Sequence, residues 1–300
     1  MKVLFIYILM VLLPGFVFSQ QIALTFDDAP RKDGAHYTGK QRTEILIQKL
    51  RDKNVPAVAF FCIGRDLDAV ERERLMMYAN AGHFIANHTY SHRSIKTLGV
   101  DGYIDDIRKA DVILKEFPNY KYWFRYPFLD EGKDVDSRDR IRTALTDMGY
   151  VNGYVTVDNY DWYLEKLFQD ALIASKPVDY YKLKNIYIQH LWNSIKFYDD
   201  MAKEVIGRSP KHVLLLHEND LAAMYIDELI DFLREKGWEI ISPEEAYTDP
   251  ISQIVPDVLL NGQGRIGAIA KEKGYTGPFA QDTEDSDYLD KYIEETGVFK

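Results

Sequence analysis

The 300-residue chain holds a single cysteine, Cys62. One thiol cannot close an internal disulfide, so the fold depends on its core in any redox compartment. Cys62 lies in the apolar run Val58-Ala59-Phe60-Phe61-Cys62-Ile63, the setting of a buried structural thiol and not of a nucleophile. Positive charge is also short. Against 47 Asp and Glu stand 37 Lys and Arg, a formal net charge of −10. Such a chain repels nucleic acid and anionic membrane surfaces, and a neutral or cationic substrate suits it better than a polyanion. No internal repeat, low-complexity stretch or Gly/Ser-rich linker interrupts the sequence. Beyond the first residues, no run is apolar enough for a bilayer, which takes ~20 residues.

The first residues have their own pattern. Lys2 precedes an apolar run over 3–13, then Pro14-Gly15, and Val17-Phe18-Ser19 resembles a small-x-small cleavage site. This is the layout of a secretory signal peptide over 1–19, with Gln20 as the new N-terminus. An uncleaved anchor is the other reading, and the run is short for one. No Cys follows it for lipid attachment. The expectation is a secreted or periplasmic protein with no stable membrane anchor after cleavage.

From residue 20 onward, strand-like and helix-like stretches alternate. Strands are predicted over 21–26, 56–63, 82–86, 123–126, 150–157, 212–216 and 238–241. Helices are predicted over 41–53, 66–80, 102–115 and 222–236, the last ended by Gly237. Alternation of this kind implies parallel strands with crossover helices. About seven such units predict an α/β fold, a distorted (β/α) barrel in one domain over 20–247, with catalytic groups at the C-terminal ends of strands. Residues 164–209 depart from the repeat as a helical insertion or lid. Residues 248–300 read as an extension packed on the barrel, with helices near 266–273 and 285–296. Aromatic residues make up 13 %, including 21 Tyr. Most serve a core, and some suit a carbohydrate groove.

Three features carry chemistry. The strand Leu24-Thr25-Phe26 ends in Asp27-Asp28 and a Pro turn. Adjacent carboxylates repel, so the pair fits a metal ion, shared proton chemistry or a solvated loop. Asn87-His88-Thr89-Tyr90-Ser91-His92 spaces two His by four residues, on one face if the segment is a helical turn. Two imidazoles and one carboxylate form a three-ligand set with open positions, as a catalytic zinc requires. Finally, His217 ends the apolar run 213–216, placed for a general acid or for a satisfied core histidine.

Five segments in order resemble the polysaccharide deacetylases, also called carbohydrate esterase family 4 or the NodB-homology domain. They are Thr25-Phe26-Asp27-Asp28, His88-Thr89-Tyr90-Ser91-His92, Arg125-Tyr126-Pro127-Phe128, Asp158-Asn159-Tyr160-Asp161-Trp162 and the strand 213–217. One departure is Ala29, where the family usually has Gly. A methyl there predicts a small shift and not loss of activity.

The resemblance implies roles. Asp28, His88 and His92 hold a divalent metal, Zn²⁺ foremost, with Co²⁺ or another divalent ion as the alternative. Asp27 is the general base, kept ionised by Arg125, which lowers its pKa. His217 is the general acid, oriented by Asp161. A backbone N–H near Phe128 stabilises the oxyanion. Trp162 and Leu215 line the acetyl pocket, and Tyr126 and Phe128 stack on sugar rings. The expected partner is an acetylated oligo- or polysaccharide. The expected enzyme hydrolyses linear amides, removing N-acetyl groups from GlcNAc-type residues of chitin-like oligomers or peptidoglycan. The alternatives are an O-acetyl esterase on xylan-type glycan and a non-catalytic glycan-binding protein on the same fold.

Overall fold

A computed structural model describes residues 19–65 and 67–300. The segment expected to be a signal peptide lies outside the described residues, apart from Ser19. The elements run β1 (Gln20–Ala29), α1 (Gly39–Asp52), β2 (Ala59–Cys62), α2 (Ala69–Asn80), β3 (Phe84–Asn87), α3 (Ile95–Leu114), β4 (Tyr120–Phe124), α4 (Val135–Asp147) and β5 (Val151–Asn152). They continue with α5 (Asp161–Ile173), α6 (Tyr180–Ile206), β6 (His212–His217), α7 (Asp220–Glu235), β7 (Trp238–Ile241), α8 (Pro243–Ala246), α9 (Arg265–Glu272) and α10 (Ser286–Thr296).

Every strand pairing is parallel, in the order β5-β4-β3-β2-β1-β6. β7 pairs the first four residues of β1, Gln20–Ala23, and β2 takes over from Thr25. The sheet curls, and an isolated bridge from Val157 to Leu214 joins the chain beyond β5 to β6. The result is the distorted (β/α) barrel that the alternation predicts, with helices outside. Burial fits this design: Ile22, Ala23, Leu24 and Phe26 are all fully buried, as parallel strands covered on both faces require.

Caps set the helix ends. Thr38 and Gln41 form a reciprocal capping box at α1. Asp68 accepts from the N–H groups of Val70 and Glu71, so α2 starts at Ala69, later than predicted. In α7, Asn219 caps Ala222, and Ile226, Leu229, Ile230 and Leu233 form a buried stripe at helical spacing.

The structure corrects four expectations. The strand over 150–157 is broken: only Val151–Asn152 pair with β4. A Cβ on Gly153 would stand 2.6 Å from the Phe61 ring. Its N–H still donates to the Phe124 carbonyl of β4 at 2.7 Å, but its own carbonyl accepts from Arg125 Nε, so the ladder ends here at the site. Residues 164–209 are no lid. Leu183, Tyr187, Leu191, Ile195 and Tyr198 of α6 lie in the main core. α4 was not anticipated, because its strongly charged sequence leaves few apolar residues to bury, chiefly Ile141 and Leu145. The helical turn expected at His88–His92 is an irregular loop with positive φ at Thr89 (67°) and His92 (53°).

The extension joins the same core through Ile266, Ile269, Leu289, Ile293 and Val298, and Arg265 N–H donates to the Val155 carbonyl at 2.7 Å. Among the described residues, no helix is long and apolar enough to cross a membrane.

Candidate active site

The strands deliver their chemical groups at one end. Asp27 is in register with His217 across β1 and β6. His88 follows β3 and Arg125 follows β4 directly. Asp27, His88 and His217 open onto a cavity of about 490 Å³, with Arg125 buried behind them, at the C-terminal ends of the strands as the fold predicts.

The two adjacent carboxylates diverge because the backbone turns between them. The β1–β2 register shifts between Phe26 and Ala29, and Asp28 has φ 66°, a left-handed conformation that costs a non-glycine residue about 1–2 kcal/mol. The strain falls on Asp28 and not on Ala29, whose φ is not positive. The missing glycine therefore has no conformational consequence.

The histidine loop is held by groups that motif reading did not single out. Buried Asn87 accepts from Thr89 N–H at 2.8 Å and donates to the Ile107 carbonyl and the Tyr150 hydroxyl. Thr89 Oγ1 accepts from His92 N–H at 2.9 Å. Asp106 accepts from both the N–H and the hydroxyl of Ser91. This scaffold supports a loop whose positive φ values are costly. The Asn immediately before the first His was its only sequence signal.

His88, His92 and Asp28 converge, with one ligating atom of each within 4.8 Å of the others. His88 Nδ1–H donates to the Arg125 carbonyl at 2.8 Å, which leaves Nε2 unprotonated toward Asp28. From Asp28 Oδ1, His92 Nε2 is 3.2 Å away and His88 Nε2 is 3.7 Å away. That oxygen is buried and has no hydrogen-bond partner. Burial pushes both imidazoles down to about 4, so they are neutral at pH 7. Burial raises the Asp28 pKa, but His217, His92 and His88 outweigh it and bring it down to about 2. An orphaned carboxylate oxygen beside two neutral imidazoles, at separations that ligands ~2 Å from one ion adopt, fits a divalent cation.

Arg125, almost wholly buried, donates to Asp27 Oδ1 at 2.8 Å. It also reaches Thr25 Oγ1 and lies over the Phe61 ring. The contact is the expected one, but its electrostatic outcome is not. Burial raises the Asp27 pKa and prevails over Arg125 and His217. The guanidinium orients the carboxylate and offsets only part of the desolvation.

His217 Nδ1–H donates to Asp161 Oδ1 at 2.6 Å. Asp161 Oδ2 accepts from His217 N–H and Asn219 Nδ2. Burial lowers the His217 pKa, but Asp161 outweighs it and lifts it to about 9. Trp162, 39 % exposed, and Phe128, 58 % exposed, line the cavity with buried Leu215. The Phe128 ring stands 4.7 Å from that of His92. Tyr126 is corrected. It borders the cavity, but it is 3 % exposed and packed against Phe124 and Ile141, so no open face remains for a sugar. Cys62 is buried, burial raises its pKa, and its Sγ contacts the Phe60 carbonyl, as expected of a structural thiol.

Residues 18–153 match the family model described as polysaccharide deacetylase. A peptidoglycan-N-acetylglucosamine deacetylase of Bacillus cereus is 31 % identical over 142 residues, covering 47 % of this chain and 46 % of that protein. The chain spans less than half the length of the curated relatives it matches. Among solved structures, the Bacillus subtilis peptidoglycan deacetylase PdaC aligns with a TM-score of 0.52 at 19 % identity, over 77 % of this chain and 93 % of that one. A carbohydrate esterase family 4 pseudoenzyme of Bacillus anthracis aligns with a TM-score of 0.51 at 19 % identity, over 76 % and 66 %. The two likenesses concern the fold. The match over residues 18–153 and the curated relatives liken this chain, over that stretch, to the polysaccharide deacetylases.

Proposed function

We propose that this protein is an exported, metal-dependent hydrolase that removes N-acetyl groups from GlcNAc-type residues of an extracellular or cell-wall glycan. The observation that carries the reading is the partnerless Asp28 Oδ1 between two neutral imidazoles, flanked by Asp27 and His217. A fold shared with a pseudoenzyme does not argue for catalysis. The full set of base, acid and their orienting partners does. Export is supported by the leader-like residues 1–19.

Asp28, His88 and His92 would hold the ion, Zn²⁺ foremost, which supplies Lewis-acid polarisation of the acetyl carbonyl and of the attacking water. Asp27, oriented by Arg125, accepts the water's proton. As the C–O bond forms, the carbonyl oxygen takes up negative charge, and the N–H of Phe128 donates to it. His217, with Nδ1–H fixed on Asp161, presents Nε2–H to the amide nitrogen. The C–N bond breaks as that proton transfers, giving acetate and a free amine. Trp162 and Leu215 border the space for the acetyl methyl.

Acetate release from N-acetylated and O-acetylated glycans, with zinc and then with chelator, tests the proposal. Zinc-restored release from N-acetyl substrates is expected. Release only from O-acetyl substrates would make it an esterase, and none from either would leave a glycan-binding protein.

A further inference from the structure

The cavity continues past the metal-ligand triad into a smaller cleft of about 190 Å³, lined by Asp28, Pro30, Arg31, Lys32, Ile63 and Arg65. Three of those six residues are cationic, in a chain whose net charge is −10. Their situations differ. Lys32 is 3.3 Å from Asp68 and 3.2 Å from Glu71, so its charge is answered. Arg65 has a partner of its own. Arg31 stands where the two cavities meet, and its Nη1 is buried with no hydrogen-bond partner among the described residues.

A guanidinium nitrogen buried without an acceptor is destabilising unless something answers it. The fold nevertheless holds this residue in place. Arg31 N–H donates to Glu218 Oε2 at 2.7 Å. Its carbonyl accepts from Arg42 at 3.0 Å and from Arg74 at 2.6 Å. Arg74 and Tyr78 in turn bind Glu218 Oε1. Arg42, Arg74 and Glu218 are all nearly or wholly buried. This ionic cluster therefore fixes the backbone of Arg31 and leaves its side chain to the cleft. A planar fork of donors on a fixed backbone matches a carboxylate.

We infer that Arg31 binds a carboxylate of the substrate, so that the glycan processed here is an acidic one, with its anionic group beside the reacting acetamido sugar. This rests on the deacetylase reading of the cavity. It also revises the preference for neutral or cationic substrates that the net charge suggests: a buried, unpartnered guanidinium nitrogen can select an anion locally in an acidic chain.

The test is calorimetric binding to the zinc-loaded full chain. The ligands are an N-acetylated amino-sugar disaccharide bearing one carboxylate and the methyl ester of the same compound. The acid should bind about tenfold tighter than the ester, as a charge-assisted pair implies. The preference should vanish in Arg31→Gln and survive in part in Arg31→Lys, with melting curves checking that both variants fold. Equal binding of acid and ester, binding of neither, or a preference that persists in Arg31→Gln overturns the inference. Acetate release from a neutral N-acetylated oligomer, followed in parallel, reports on the deacetylase reading separately.

Discussion

Asp161 accepts the Nδ1 proton of His217 at 2.6 Å and is itself fully buried. This relationship suits His217 to the role of acid in the proposed mechanism and sets it apart from the ligand triad. It fixes the tautomer and, against the opposing effect of burial, keeps the ring protonated up to about pH 9. Asp161→Asn should therefore lower kcat by about 10²–10⁴-fold, the usual worth of a placed acid. The alkaline limb of the pH–rate profile, near 9 in the parent, should move down. An unmoved limb would separate Asp161 from the acid.

Asn87 is expected to matter as much as the motif residues while touching no substrate. Asn87→Ala removes the acceptor for Thr89 N–H and strands the loop carrying both histidines. A loss of about 2–4 kcal/mol in urea unfolding is expected, together with weaker zinc binding. Unfolding with no zinc and with saturating zinc should separate the two effects, and an unchanged zinc affinity would show that the loop holds without it.

Acid should destabilise the fold through histidines remote from the triad. Val58 N–H donates to His83 Nδ1, and Tyr160 N–H donates to His190 Nε2, so both rings are acceptors and must shed those bonds to become charged. Burial lowers both pKa values to about 4. A depressed folded pKa means stability that is complete above the unfolded value of ~6.5 and is lost as pH falls through about 4. Each ring contributes on the order of 3 kcal/mol to that loss. Urea unfolding at steps from pH 7 to pH 4 should show it. A flat profile would mean that the rings titrate normally in the fold.

Much of this was legible in the sequence because periodicity and chemistry agreed. The strands ending at Ala29 and His217 and the stripe of α7 are plain in the residue pattern, and the motif residues fall where barrel geometry wants them. The failures have physical causes. The 150–157 strand looked continuous because β-propensity ignores what Gly153 must accommodate, the Phe61 ring and an Arg125 donor. The His88/His92 spacing suggested a helix because a four-residue interval is shared by helices and by a loop tied through Asn87. Arg125 beside Asp27 suggested a lowered pKa, since the sequence names the partner and not the depth of burial. Tyr126 looked like a sugar platform, though neighbours distant in sequence enclose it.

The most direct test of the central claim separates metal binding from proton transfer at two adjacent residues. Zinc content and acetate release are measured on the same preparations of the parent, Asp27→Asn and His88→Ala. The account predicts one tightly held zinc and turnover in the parent. Asp27→Asn should keep the zinc and lose at least about 10²-fold in rate, and His88→Ala should lose both. An Asp27→Asn protein that turns over like the parent, or a His88→Ala protein that keeps its zinc, would contradict it.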